Sequence, residues 1–393
     1  MVPSRSARAY PGIDLLRALA ALLVLAYHVV EYGQWAAVPN TGLGYVVRHG
    51  WVGVDLFLTI SGFVIALSAL DGVARDGAGF RWPFARRRLA RIAPLYLLTC
   101  AAFLVLVVPG MLLLPAKILV VHIGAHLLFI HNLSPATHGS INGPTWSVAL
   151  EMQFYVFMLL AGPWLARARA RWFLLGAVAV ALAWRFATTL ALEPGSAEPI
   201  LQFVYAVQLP GVIDEFALGI ALAMIVHRGR GPLLAWLAPG WRNCAAWVAV
   251  AAALLAIAIE LDQNAFMWSN RWMIVGWRTL LAAGFVALIA AAMTFPLAGH
   301  WALAPARYLG DISYGIYLWH MLVLIALVGS LPGLGGADLL VAAAGGTLVL
   351  AMITWHLLEK PNMQKTRGAV RAATAPAGGD RADVARSATA SAG

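Results

Sequence analysis

Residues 13–31, IDLLRALAALLVLAYHVVE, are apolar apart from Asp14, Arg17, His28 and the closing Glu31. A run this close to the ~20 residues needed to cross bilayer hydrocarbon reads as a membrane-spanning helix. Working outward, comparable runs recur near 52–70, 92–114, 146–166, 171–192, 209–227, 243–260, 273–294, 308–328 and 338–358. The composition agrees, with 62% of residues hydrophobic and 11% charged. A water-facing surface needs roughly a quarter charged residues, so a string of soluble domains is excluded. The fold class expected is an all-α integral membrane protein, a polytopic bundle of about ten transmembrane helices. Arg5 and Arg8 ahead of the first run give it the look of a secretory signal, but the polar residues inside it mark an uncleaved span.

The net charge of +10 comes mostly from arginines in the short connections, where they set membrane orientation rather than bind nucleic acid. With the N-terminus inside, Arg75, Arg81, Arg86, Arg87, Arg88 and Arg91 fall on the cytoplasmic side. Arg167, Arg169, Arg171, Arg228, Arg230, Arg242 and Arg307 follow them there, and only Arg48, Lys117 and Arg271 face outward. That arrangement requires the short apolar stretch 117–131, with His122 and His126, to be re-entrant or interfacial. Both termini are then cytoplasmic. The chain divides into a cytoplasmic segment 1–11, a membrane domain 12–361 and a tail 362–393. The tail, rich in Ala, Arg, Gly, Ser and Thr, is expected to be disordered. Cys100 and Cys244 show neither metal-ligand spacing nor a disulfide framework, and no metal site is expected.

Polar side chains at bilayer depth cost several kcal/mol by most scales (about 2.5–3.5 for a charge at a helix centre) and so call for a reason. In the first span, Arg17 and His28 lie about three turns apart on one face, with Asp14 nearby, separated by roughly 16 Å along the axis. Read alone, they serve equally as an interfacial ion pair and a packed core histidine. In the span at 146–166, Ser147, Glu151 and Tyr155 form an i, i+4 stripe, placing Glu151 at a depth close to that of His28. A histidine with a carboxylate at matching depth is one way to build a general base. Asp55 and Ser61-Gly62 mark the second span, where Gly62 would let another helix approach closely. Ser313, Tyr317 and His320 share a face of the span at 308–328. Arg88 and Arg91 lie one turn apart at the expected start of the third span, where a helix N-terminus favours anions.

These motifs together resemble acyltransferase family 3, integral membrane proteins that O-acylate sugars and other acceptors. The resemblance runs from about 12 to 361. GIDLLRALAALLVLAYHV is similar to the family's first-span motif, in which an arginine precedes a histidine by eleven positions, here Arg17 and His28. GVDLFLTISGF, RRRLARIAPLY with Arg88 and Arg91, TWSVALEMQFY with Glu151, ISYGIYLWH and LEKP follow in the expected order. Met152 stands where many relatives carry a second glutamate. The resemblance implies transfer of an acyl group, by default acetyl, from cytoplasmic acyl-CoA to a hydroxyl of a carbohydrate or similar acceptor. It implies His28 and Glu151 as the catalytic pair, with Arg17, Arg88 and Arg91 holding the donor's phosphates. Asp14, Asp55, Ser147, Tyr317 and His320 are candidate lining residues. No tightly bound cofactor is expected, membrane lipid is the surrounding partner, and the location implied is a bacterial inner membrane. The alternative reading is a transporter or flippase, since polar residues stacked along a span also describe a conduction path.

Overall fold

The structure, a computed structural model, describes residues 10–195, 198–265 and 267–374, with only the backbone of 371–374. Helices α1 (Gly12–Tyr32), α2 (Gly42–Arg48), α3 (Gly53–Asp76), α4 (Arg81–Leu106), α5 (Ala116–Leu127) and α6 (Trp146–Leu165) come first. They are followed by α7 (Ala170–Ala191), α8 (Pro199–Ala206), α9 (Leu209–Arg228), α10 (Leu233–Trp236) and α11 (Trp241–Asn264). The last are α12 (Arg271–Thr294), α13 (Ala304–Asp311), α14 (Ser313–Ser330), α15 (Gly336–Thr354) and α16 (Lys360–Thr374). Among the described residues, nine continuous helical stretches are long and apolar enough to cross a membrane. One of them, the 57-residue stretch Gly50–Leu106, holds both α3 and α4. At ~1.5 Å per residue it is far too long for one crossing. It doubles back where Gly77 takes a φ of +55°, which glycine alone adopts cheaply, and Phe80 packs against Gly72. The protein is thus a multi-pass, all-α membrane protein.

The arginine-bearing connections gather at one end of the bundle. Arg81 reaches Leu159 O on α6, Arg228 reaches Ala168 O, and the Asn362 amide on α16 donates to Ala90 O on α4. At the opposite end, Tyr45 of α2 bonds Asp262 of α11, and Gln208 bonds Leu133 O. Helix α5 has 12 residues, about 18 Å of helix, so it cannot cross ~30 Å of hydrocarbon. The chain leaves α4 and enters α6 at the same end. Helices α9, α12 and α14 are the most enclosed, while α11 is mostly exposed on the flank. The core contact between α3 and α9 is backbone on backbone: a Cβ on Gly62 would lie 2.2 Å from Phe216 O. Gly62 therefore fills the packing role open to it, as small residues do where membrane helices meet.

Three expectations are corrected. The third span begins at Arg81 rather than 92, so Arg88 and Arg91 lie inside α4 and not at a helix N-terminus. The physical reason is that buried Phe84 and the turn packing of Phe80 on Gly72 let the helix start about three turns earlier, carrying the basic run with it. The span at 308–328 is broken at Ile312 into α13 and α14. The tail expected to be disordered from 362 is helical to Thr374 after a π-turn over Trp355–Glu359, held against α4 through Asn362 and Met363. Residues 1–9 and 375–393, the rest of the two terminal segments, lie outside the described residues.

Candidate active site

Two cavities meet inside the bundle. The wide one, about 860 Å³, opens toward the end opposite the arginines and is lined by His28, Trp51, Asp55, Trp146, Arg278 and Tyr317 among others. The narrow one, about 70 Å³, is lined by Arg17, Ser61, Arg91, Glu151, Ser313 and Tyr314. Val54 and Tyr317 belong to both linings. Tyr317 is pinned in the wall: its hydroxyl donates to Pro144 O at 2.6 Å and lies 2.7 Å from the Ser147 hydroxyl. The Asn142 amide donates to Leu318 O at 3.3 Å, tying the start of α6 to α14.

His28 sits on the α1 face that borders the wide cavity, and its tautomer follows from its neighbours. His28 Nδ1 lies 2.9 Å from Val24 O, and His320 Nδ1 lies 2.6 Å from Tyr317 O. A carbonyl oxygen only accepts, so each Nδ1 carries the proton. His320 Nε2 is then an acceptor, 3.2 Å from His28 Nδ1, and shares that N–H with Val24 O. His28 Nε2 keeps its lone pair, makes no hydrogen bond among the described residues and is not sealed within protein. An imidazole so fixed can take a proton from a hydroxyl in the wide cavity.

Glu151 is elsewhere. Its Oε1 accepts from Tyr155 Oη at 2.6 Å and Ser61 Oγ at 3.1 Å, and it borders the narrow cavity. The expected pairing of His28 with Glu151 is therefore not formed; His320 stands beside the His28 ring instead. Glu151 lies deeper than His28 because α6 starts within the bundle. Pro144 and Trp146 already line the wide cavity, so Glu151, more than a turn further on, lies on the far side of Tyr317.

The narrow cavity is cationic. Arg17 and Arg91 line it, and the Arg88 guanidinium lies 5.7 Å from the centre of the Tyr155 ring and 5.4 Å from that of Phe84. Arg17, Arg88 and Arg91 are near enough to act on one another's charge, and Arg17 and Arg88 on Glu151 as well. Asp14 adds a second carboxylate, 3.6 Å from Arg17. The buried Glu359 carboxylate adds a third, near Arg91, and of these groups Arg17, Arg91 and Glu151 line the cavity itself, two cations to one anion.

Asp55 borders the wide cavity but pairs directly with Arg278. The pair continues into a buried network the sequence reading passed over. Arg278 lies 3.9 Å from Glu215, and Arg185 binds Asp214 at 2.7 Å with both side chains fully enclosed. The signal was present, since Arg185, Asp214, Glu215 and Arg278 all interrupt apolar runs, as Arg17 and His28 do. Tyr45, His49 and Asp262 were missed for a different reason. They sit at helix ends, where polar residues are ordinary.

The model of the family described as an acyltransferase domain matches residues 10–356, nearly the whole described chain. The chain belongs to that acyltransferase family. It is similar to acyltransferase MdmB of Streptomyces mycarofaciens, at 30% identity over 90% of this chain and 88% of that protein. It is similar to peptidoglycan O-acetyltransferase OatA of Listeria monocytogenes, at 25% identity over 91% of this chain and 56% of that one. Exopolysaccharide production protein ExoZ of Rhizobium meliloti is 28% identical over 88% of this chain and 99% of that protein. The chain thus spans little more than half the length of some curated relatives it matches. This acyltransferase is a multi-pass membrane O-acyltransferase, as the motifs implied. The transporter reading finds no support in these matches.

Proposed function

We propose that this acyltransferase moves an acyl group, by default acetyl, from acyl-CoA to a hydroxyl of a carbohydrate or similar acceptor, with His28 as general base. The observation that carries the reading is the free Nε2 lone pair of His28 in the wide cavity, its tautomer held by Val24 O and His320. The arginine-rich end is the cytoplasmic face, by the positive-inside bias, which puts both ends of the membrane domain inside and suits a bacterial inner membrane. Acyl-CoA enters from that face. Arg17, Arg88 and Arg91 hold its phosphates as charge-assisted partners, and the thioester reaches past Tyr317. Glu151 orders the donor side through Tyr155 and Ser61 and offsets part of the arginine charge. No resident cofactor or metal takes part.

In the reaction the acceptor O–H gives its proton to His28 Nε2 as its oxygen attacks the thioester carbonyl. The C–O bond forms, the C–S bond breaks, and the imidazolium returns the proton to the leaving thiolate, giving the ester and free CoA. The relatives' names support a carbohydrate acceptor, since one is a peptidoglycan O-acetyltransferase and another an exopolysaccharide production protein. The test is CoA release, read with a thiol reagent, from acetyl-CoA and purified protein, with and without bacterial cell-wall or capsular glycans. Glycan-dependent release is expected in the wild type. No release with any glycan, from protein that binds acetyl-CoA, overturns the reading.

A further inference from the structure

Beside His28, the wide cavity has two further walls that proton transfer itself does not need. One is polar. Arg48 lashes the segment before it by donating to Val38 O at 2.7 and 2.9 Å, which fixes α2 beside the cavity that Thr41 and Tyr45 line. From α2, Tyr45 stacks on His49 with ring centres 3.9 Å apart, and both reach Asp262 at the end of α11. Tyr45 Oη donates to Asp262 Oδ2 at 2.6 Å, and His49 Nε2 lies 3.3 Å from the same oxygen. Burial and the Asp262 carboxylate push the Tyr45 hydroxyl well above the ordinary tyrosine range, so it stays a donor. Asp262 Oδ1 takes no hydrogen bond among the described residues and is not sealed within protein.

The other wall is aromatic. Phe203 stands edge-on to Trp146 at 5.1 Å and 86°, and to Trp268 at 5.9 Å and 83°. All three line the same cavity as Asp262 and His28. Its volume, about 860 Å³, is in the range that encloses a small ligand of several rings.

We propose that these walls form an acceptor subsite for a neutral pyranose ring, bound through hydroxyls on Asp262 Oδ1 and through its C–H face on the Trp146–Phe203–Trp268 wall. The inference rests on the acyl-transfer reading above for the direction from which the acceptor comes. A pyranose has one edge of hydroxyl donors and one apolar face, and the cavity supplies a free carboxylate oxygen and aromatic area for the two. Neutrality follows from the charges present. Arg278, a cation of this lining, is already taken by Asp55, so an anionic sugar would meet Asp262 with no free guanidinium to offset it.

The test uses the full chain in lipid nanodiscs, because a maltoside detergent would itself supply pyranose rings. Glucose, N-acetylglucosamine and their β-1,4 disaccharides are titrated by saturation-transfer NMR, with cyclohexane-1,2-diol as the ring lacking the full hydroxyl set. At least one sugar is expected to bind better than the diol, with the strongest transfer on one C–H face. Asp262→Asn and Trp268→Ala should each weaken it at least tenfold, and the gentler Trp268→Phe less, while acetyl-CoA binding attests to the fold of each variant. Binding of no sugar by the wild type, binding no better than the diol, or unchanged binding in both Asp262→Asn and Trp268→Ala overturns the subsite. Those outcomes leave donor-dependent CoA release untouched, so they are distinct from a failure of the transferase reading.

Discussion

The two cavities that Tyr317 divides are made of opposite materials. The narrow one is about 70 Å³ and carries Arg17 and Arg91, with Arg88 behind Tyr155. The wide one is about 860 Å³, walled by aromatic rings, and its arginine is already paired. Clustered guanidiniums in a confined space favour a phosphate-bearing group, because charge interactions strengthen where water is scarce. Broad aromatic walls favour a larger, weakly charged partner that gives up its water more easily. On the function proposed above, the difference would sort donor from acceptor by electrostatics before any chemistry occurs, with one tyrosine ring between them.

Removing the base should produce the largest effect. His28→Ala is expected to lower acceptor-dependent CoA release by at least ~10²-fold, the usual scale for a general base, with acetyl-CoA affinity retained in equilibrium binding. A near-normal rate in this variant would strip the wide cavity of its catalytic role. On the other side of the divide, Arg88→Ala or Arg91→Ala should raise the KM for acetyl-CoA by some ten- to hundredfold, matching a lost charged contact of about 1.5–3 kcal/mol. The KM for the acceptor should stay put. If both constants move together, the two cavities are not separate binding sites.

A smaller effect is expected at His320, a positioning residue for the His28 ring. His320→Ala should cost about fivefold in kcat, the worth of a typical neutral hydrogen bond, and shift the acid limb of the pH–rate profile. His320→Gln, which restores an acceptor near the lost Nε2, should recover much of it. A flat pH profile across the pair would reduce His320 to packing. Smallest of all, Tyr317→Phe keeps the ring but loses the bonds to Pro144 and Ser147. It should raise acceptor-independent CoA release a few-fold, as water gains access to the thioester. Hydrolysis at the wild-type level would mean the wall is held by something other than that hydroxyl.

The fold was largely legible because hydrocarbon imposes a one-dimensional rule. A run near twenty apolar residues must be a helix, since no water is present to satisfy an open backbone. That rule placed the first span without any knowledge of neighbours, and the arginines of the connections placed the short 117–131 segment. The arginines that stood inside the same code marked Arg17, and His28 was marked by the cost of its own burial. Boundaries such as the start of α4 at Arg81 were less legible, because a helix can extend past the membrane edge wherever Phe80 finds Gly72 and Gly162 to pack on.

The sequence by itself determined the membrane class, the helical crossings and the residue types at depth, because each is a local consequence of transfer out of water. Only the tertiary structure decided which of those residues meet. Glu151 and His28 were matched by counting along two helix axes, yet the start of α6 within the bundle and the ring of Tyr317 put them in different cavities. Arg278 found Asp55 across 223 positions of chain, and Tyr45 found Asp262 across 217. Such pairings depend on how helices rotate and lean against one another, which is set by close contacts such as Gly62 on Phe216, and no count of residues along a single helix contains that information.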